Sequence, residues 1–151
     1  MTHAADPIRV LFVSTGDASR GILAEAVLRR AGGDRFEVRS AGVAPAPIEP
    51  MTLQVLDAAG LDHDWAVSEG IDAYLGRPFD YVITLCDDAR ATCPNFEGAD
   101  QSMHWGYKDP SGTPGDDAAR RAAYQRVLTD LGQRVRQFVT IAERQDRFTS
   151  A

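Results

Sequence analysis

Hydrophobic and polar positions follow two different periods along the chain, and together they predict strands that alternate with helices. Residues 8–13 are apolar apart from Arg9, which is typical of a strand buried in a parallel sheet. A helix is predicted from about Ser19 to Ala31, because apolar residues recur there at helical spacing and two glycines follow. Residues 36–40 then alternate as a second, short strand.

The second half of the chain continues this alternation. Proline in the first turn and Gly60 just past the end predict a helix over about residues 50–59. Residues 79–86 are predicted to form the third strand and residues 102–105 a short fourth strand. An apolar stripe, preceded by acidic residues that suit a helix dipole, predicts a long helix over about residues 116–143.

Strands that alternate with helices predict an α/β fold. The 151 residues correspond to one domain, with no internal repeat or linker, so we expect a single domain over residues 1–151. The predicted architecture is a three-layer domain with a four-stranded parallel sheet. In such folds ligands bind at the carboxyl ends of the strands.

The connection after the first strand has the composition of a phosphate-binding loop. Its backbone N–H groups, together with the unpaired donors at the helix start, can hold a tetrahedral oxyanion such as phosphate, sulfate or arsenate. Arg20 would close the loop with a planar, always-charged guanidinium, and an anion partner explains an arginine at a helix N-terminus. The predicted anion-binding residues are Ser14, Thr15, Gly16, Asp17, Ala18, Ser19 and Arg20.

Composition narrows the classes of partner. The net charge of −6 argues against nucleic-acid binding, which needs a basic surface. No apolar run is long enough for a membrane span, and the N-terminus lacks the pattern of a signal segment, so we expect a cytoplasmic protein that does not bind membranes.

The two cysteines, Cys86 and Cys93, are too few for a disulfide scaffold and are expected to be free thiols or a redox pair. The histidines lack metal-ligand spacing, so neither a metal nor a cofactor is expected.

Three separated segments resemble the low-molecular-weight protein tyrosine phosphatase family, and specifically its thioredoxin-coupled arsenate reductase branch. The likeness extends from about residue 8 to about residue 140. The cysteine pair followed by His-Trp and Asp-Pro is the part that is specific to the branch. The segments are residues 11–26 with Arg-Ser-Ala-Gly at 39–42, residues 79–94, and His-Trp-Gly at 104–106 with Asp-Pro at 109–110.

The resemblance implies a role for each matching position. Ser14 stands at the nucleophile position of the family's Cys-x5-Arg loop, and Arg20 at the oxyanion clamp. Asp109 resembles the acid that protonates the leaving oxygen. Cys86 and Cys93 resemble the thiols that act in relay after the first cysteine has bonded arsenic, and thioredoxin reduces the disulfide that results. Thioredoxin and a small oxyanion are therefore the expected partners.

The departures from the family pattern concentrate in the loop. Ser14 replaces the cysteine, Asp17 stands where asparagine is usual, Ala18 where serine is common, and Gly21 where a serine follows the arginine. A cage of donors can ionise a thiol near neutral pH but not a serine hydroxyl, and Asp17 brings a negative charge towards an anion site. We therefore expect an oxyanion-binding protein, a pseudoenzyme in which catalysis is impaired.

Other interpretations of the same residues remain open. Ser14 could replace a native cysteine by engineering, although the further changes at positions 17, 18 and 21 favour natural divergence. The chain could be an active arsenate reductase or phosphatase, with the chemistry moved to Cys86 and Cys93 or slowly supported by Ser14 and Asp17. It could also be an interaction domain that keeps the fold without binding an anion.

Overall fold

A four-stranded parallel sheet forms the centre of the molecule. The computed structural model describes residues 6–85 and 99–150. The strands lie in the order β2-β1-β3-β4, so the first strand is central and is paired on both sides. The predicted α/β fold with four parallel strands is confirmed. The strands are β1 (Ile8–Ser14), β2 (Phe36–Gly42), β3 (Tyr81–Thr84) and β4 (Gln101–His104).

Within the described residues, three α-helices connect or follow these strands, and several of their ends carry the signals seen in the sequence. Pro50 lies in the first turn of its helix, where the missing N–H costs no hydrogen bond. Gly33 follows the first helix with a φ of 58°, a conformation that favours glycine. The Asp116 carboxylate accepts a hydrogen bond from the Ala119 N–H at 3.0 Å and so caps the last helix. The helices are α1 (Arg20–Gly32), α2 (Pro50–Ala58) and α3 (Asp117–Ser150).

The third strand is shorter than the predicted 79–86. Asp80 exchanges two hydrogen bonds with Arg9: its carboxylate accepts from the Arg9 N–H at 2.8 Å, and its own N–H donates to the Arg9 carbonyl at 2.9 Å. The Asp80 side chain thus accepts a hydrogen bond that a backbone carbonyl of a neighbouring strand would otherwise accept. The regular pairing begins only at Tyr81.

The last helix continues to Ser150, beyond the predicted end near residue 143. Its apolar stripe carries on through the buried Ala142. Beyond that point Gln145 accepts a hydrogen bond from the Tyr81 hydroxyl at 2.6 Å, and Asp146 lies 3.6 Å from the Arg35 guanidinium. These contacts to distant parts of the chain give the extra turns partners.

Both faces of the sheet are covered, which explains why residues 10–13 of β1 are all apolar. On one face the helices pack around an aromatic cluster in which the Trp105 ring lies 5.9 Å from Phe12 and 5.7 Å from Phe138. The other face buries Leu11 and Val13 beneath a short 3-10 helix, Ile71–Tyr74, that the sequence pattern did not predict. No helix of the described chain combines the length and apolar character that crossing a bilayer requires.

Candidate anion-binding site

The predicted loop lies at the carboxyl edge of the sheet. Ser14 is the last residue of β1 and pairs with Gly42 of β2, while Arg20 is the first residue of α1. The five residues between them therefore join the carboxyl end of a central strand to the N-terminus of a helix of 13 residues. This is the geometry in which helix donors and the helix dipole both favour an anion.

The carbonyl groups of the loop accept hydrogen bonds from residues that lie outside the loop. Because the C=O and N–H of a peptide unit point in opposite directions, carbonyls held outside turn the adjoining N–H groups inwards. Ser68 and Thr52 side chains add hydrogen bonds to the carbonyls of Gly16 and Ala18, at 3.1 and 2.9 Å. The backbone carbonyls of Ser14, Thr15, Gly16 and Ala18 accept, in that order, from the N–H groups of Val43, Ala44, Ala46 and Glu49 at 2.8–3.0 Å.

The loop rests directly on the end of β2. A Cβ atom added at Gly42 would lie 2.7 Å from the Gly16 carbonyl carbon and 2.9 Å from the Asp17 nitrogen. Backbone atoms cannot yield as a flexible side chain can. Glycine at position 42 therefore allows the close approach that fixes the curvature of the loop.

Ser14 lies buried beneath the loop, with 2% of its surface exposed. Its Oγ accepts a hydrogen bond from the Asp17 N–H at 3.1 Å. In residues 6–85 and 99–150, no carboxylate or imidazole is hydrogen-bonded to this hydroxyl. The structure thus gives Ser14 a donor that would stabilise an anion but no base that would take its proton.

Arg20 is also buried and is held from one side only. Its Nη1 donates to the Tyr107 carbonyl at 2.9 Å, and its Nη2 lies 3.8 Å from a carboxylate oxygen of Asp109. Within the described part of the chain its buried Nε has no hydrogen-bond partner. A buried guanidinium N–H without an acceptor is costly, and an oxyanion in the loop would supply that acceptor.

Asp109 is brought to the site as the sequence pattern implies. Its other carboxylate oxygen accepts from the N–H and the hydroxyl of Ser111, at 3.0 and 2.8 Å, at the start of a 3-10 helix that begins with Pro110. The side chain is about half exposed and ion-pairs with Arg20. A carboxylate therefore stands at the mouth of the loop on a short, capped turn.

Asp17 differs from the expectation that it would simply add a negative charge. It is fully buried, with a φ of 52°, a left-handed conformation that aspartate tolerates better than most residues. One carboxylate oxygen accepts from the Glu69 N–H at 3.1 Å. Burial raises the pKa of Asp17 to about 7, against the lowering effect of that hydrogen bond. The group is thus partly protonated near neutral pH.

The Asp17 carboxylate lies so close to Gly21 that it limits the size of the residue at position 21. A Cβ atom added at Gly21 would lie 2.6 Å from Asp17 Oδ1 and 3.2 Å from Ser14 Oγ. The Asp17 carboxylate thus occupies the space that a larger residue at 21 would need. These two departures from the family pattern are coupled in space.

Three polar residues behind the loop, Glu25, Ser40 and Glu69, were not predicted as site residues from the sequence. The Ser40 hydroxyl donates to Glu25 at 2.9 Å, and the Tyr74 hydroxyl donates to Glu69. Glu25 also pairs with Arg29 at 2.8 Å, and burial raises the pKa of Glu25 although this arginine opposes the rise. A glutamate between two alanines of an apolar helix was a signal for Glu25, whereas Ser40 and Glu69 carry no such signal.

The remaining predicted residues are placed as follows. Ser19 is buried, and its hydroxyl lies 3.4 Å from the Tyr124 hydroxyl. Cys86 and Cys93 lie outside the described residues. In the described part of the chain no group of three His, Cys, Asp or Glu side chains could hold a metal ion.

Comparison with known proteins identifies the family. The Low molecular weight phosphotyrosine protein phosphatase family matches residues 9–147. The chain belongs to this family. An arsenate reductase of Bacillus licheniformis is 32% identical over 134 residues, which are 89% of this chain and 96% of that protein. The family match and such relatives place the chain in the arsenate reductase branch.

Solved structures agree with this assignment. A thioredoxin-dependent arsenate reductase of Corynebacterium glutamicum is 28% identical with a TM-score of 0.70, over 91% of this chain and 65% of that one. An arsenate reductase in the phosphate-binding state has the same fold, with a TM-score of 0.76 at 21% identity, over 88% of this chain and 97% of that one.

Proposed function

We propose that this protein binds a tetrahedral oxyanion, phosphate, arsenate or sulfate, in the loop from Ser14 to Arg20, and that covalent catalysis through position 14 is impaired. The observation that carries the proposal is the buried Nε of Arg20, which has no hydrogen-bond partner among the described residues. Arg20 ends a loop that begins with a hydroxyl, at Ser14, where the family has a thiol. The loop N–H groups and the α1 N-terminus add to the attraction for an anion. The net charge of −6 means that this attraction is local.

The loss of catalysis follows from the chemistry of the hydroxyl. Donors around a cysteine lower the pKa of its thiol from about 8.5 to below 7, so that the thiolate forms at neutral pH. A serine hydroxyl is a far weaker acid and needs a neighbouring base. The Asp17 N–H that binds Ser14 Oγ is a donor, and no described base is hydrogen-bonded to the hydroxyl.

We assign the remaining roles from the resemblance to the family. Asp109, which lies 3.8 Å from Arg20, is proposed as the acid that protonates a leaving oxygen. We assign Cys86 and Cys93 to the thiol relay and thioredoxin to the reduction of their disulfide, by their match to the arsenate reductase branch. In the proposed state these later steps have no starting adduct, because Ser14 does not form one.

An active arsenate reductase is the second candidate function, and the arsenate reductases among the relatives favour it. It requires either that Ser14 replaces a native cysteine or that the chemistry has moved to Cys86 and Cys93. If the chemistry has moved to Cys86 and Cys93, the chain as it stands should form arsenite with thioredoxin and thioredoxin reductase. Replacing Cys86→Ala would abolish that activity.

The two candidates are separated by exchanging position 14. We expect no arsenite formation and no hydrolysis of p-nitrophenyl phosphate by the unaltered chain or by Ser14→Ala. Ser14→Cys should gain p-nitrophenyl phosphate hydrolysis, because it supplies the nucleophile within the existing loop. Turnover by the unaltered chain that persists in Ser14→Ala and is lost in Cys86→Ala would overturn the proposal in favour of the second candidate.

A further inference from the structure

Three buried or half-buried carboxyl groups surround the rear of the anion loop. Asp17 is part of the loop, Glu25 approaches from α1, and Glu69 approaches from the segment before the 3-10 helix. The cations that act on Glu25 are Arg29, which pairs with it, and Arg39 of β2. None of these groups is required to bind an oxyanion. Their combined negative charge opposes it.

Burial favours the neutral form of Asp17, whereas the hydrogen bond from the Glu69 N–H favours the ionised form. Ser40 neighbours both Asp17 and Glu25, but a hydroxyl has one proton, and Ser40 donates it to Glu25 at 2.9 Å. Asp17 Oδ1 is buried without a partner among the described residues. An ionised carboxylate would leave an uncompensated charge there, whereas a protonated carboxyl can donate to the Ser40 oxygen.

Asp17 is directly coupled to the position that an anion would occupy. Its N–H is one of the inward-facing groups of the loop and donates to Ser14 Oγ at 3.1 Å. Its carboxyl group lies at Gly21, in the first turn of α1, next to the arginine that clamps the anion. An ionised Asp17 would therefore repel an oxyanion through a poorly screened interior.

We infer that Asp17 determines the affinity of the site by taking up a proton when the oxyanion binds. This inference rests on the proposed oxyanion binding and deepens it: the site binds the anion together with one proton, which is held behind the loop. The protonated carboxyl removes the opposing charge and satisfies the Ser40 oxygen. The pKa of about 7 for Asp17 places the effect near neutral pH. Affinity is then high on the acid side of neutrality and falls on the alkaline side.

Sulfate is the probe of choice, because it stays a dianion throughout the neutral range and contributes no proton of its own. Its Kd is measured by calorimetry between about pH 6 and about pH 8, for the unaltered chain and for Asp17→Asn. Full coupling makes the Kd rise towards about tenfold per pH unit above the pKa of Asp17. We expect a rise of at least about fivefold over the range in the unaltered chain and a nearly constant Kd in Asp17→Asn.

Asparagine is a matched control, because it has the same shape, tolerates the left-handed conformation and does not ionise. Both histidines of the described chain, His63 and His104, are retained in the variant and so are common to both measurements. Calorimetry of the unaltered chain in buffers of different ionisation enthalpy gives the protons taken up per sulfate, independently of the variant. We expect a net uptake near pH 7.

The outcomes separate this inference from the proposed function. A pH-independent Kd in the unaltered chain, or the same pH dependence in Asp17→Asn, with sulfate still bound, would overturn the role of Asp17 and leave oxyanion binding intact. Failure of sulfate to bind either protein at about pH 6 would overturn both.

Discussion

Ser14 and Asp17 together decide what this site can do at the scale of single residues. Ser14 Oγ receives a hydrogen bond from the Asp17 N–H, while the carboxyl of the same aspartate is buried behind it. The first contact would stabilise an anion at position 14, and the second, when ionised, would destabilise one. The N–H and the carboxyl of Asp17 therefore have opposite effects on a thiolate placed at position 14.

The pKa of a thiol introduced at position 14 should depend on both of these effects of Asp17. We expect the thiol of Ser14→Cys to have a higher pKa than the thiol of the double variant Ser14→Cys with Asp17→Asn, by about one unit. The rate of alkylation by iodoacetamide as a function of pH measures this pKa, with Ser14→Ala correcting for Cys86 and Cys93. Hydrolysis of p-nitrophenyl phosphate at neutral pH should be faster in the double variant. Equal thiol pKa values would contradict the role given to Asp17.

The stability of the protein should also depend on Asp17. Burial raises the pKa of Asp17 from 3.8 to about 7. The stability that its protonated form contributes is fully present below pH 4 and is lost as the pH rises through about 7. The free energy of unfolding of Asp17→Asn, minus that of the unaltered chain, should therefore increase by up to about 4 kcal/mol between acid and neutral pH. Urea titrations at several pH values test this, and a constant difference would contradict it.

At the scale of elements, the loop keeps its form because β2 ends in glycine. Any Cβ at position 42 meets the backbone of Gly16 and Asp17 at less than 3 Å. Gly42→Ala should destabilise the protein by about 1–3 kcal/mol, since overpacking against backbone cannot be relieved by a side-chain movement. It should also weaken phosphate binding, because the inward N–H groups shift.

Gly112→Ala is the matched control for that substitution. Gly112 has open space around its Cα and no positive φ. We expect it to change the free energy of unfolding by less than about 0.5 kcal/mol and to leave phosphate binding unchanged. Equal effects of Gly42→Ala and Gly112→Ala in urea titrations would show that the contact between β2 and the loop is unimportant.

Elements with a strong local signal were predictable, and those defined by distant contacts were not. The apolar run of β1 and the spacing and glycines of α1 gave these elements to within about a residue. The third strand begins late because the Asp80 carboxylate binds the backbone of Arg9, far away in sequence. The four residues of the 3-10 helix Ile71–Tyr74 are too few to show a period, and they pack against the sheet through contacts that are distant in sequence.

In the candidate site, too, some features were predictable from the sequence and others were not. The loop could be located because Ser14 to Arg20 follows a buried strand directly. The raised pKa of Asp17 could not be foreseen, because it results from burial in the folded chain and exceeds the lowering effect of the hydrogen bond from Glu69. The need for glycine at position 21 could not be predicted either, because it depends on the position of the Asp17 carboxyl.

At the scale of the whole molecule, the proposed anion site is a local feature of an acidic protein. The site is assembled from the ends of β1 and β2, the start of α1 and the distant turn that contributes Tyr107 and Asp109. These parts converge at the carboxyl edge of the sheet, where ligands bind in open parallel sheets. The attraction for an anion then depends on a few oriented donors, above all Arg20, and not on the net charge of −6.

Calorimetric titration of inorganic phosphate at about pH 6 into the unaltered chain, Arg20→Ala and Arg30→Ala tests this account most directly. Arg30→Ala removes the same charge from the same helix, at an exposed position, and is the matched control. We expect phosphate to bind the unaltered chain and Arg30→Ala with Kd values within about twofold, and Arg20→Ala at least about tenfold more weakly, as for a lost charged hydrogen bond. Circular dichroism checks that Arg20→Ala is folded. Phosphate binding that Arg20→Ala leaves unchanged, or no binding to the unaltered chain at millimolar phosphate, would contradict the account.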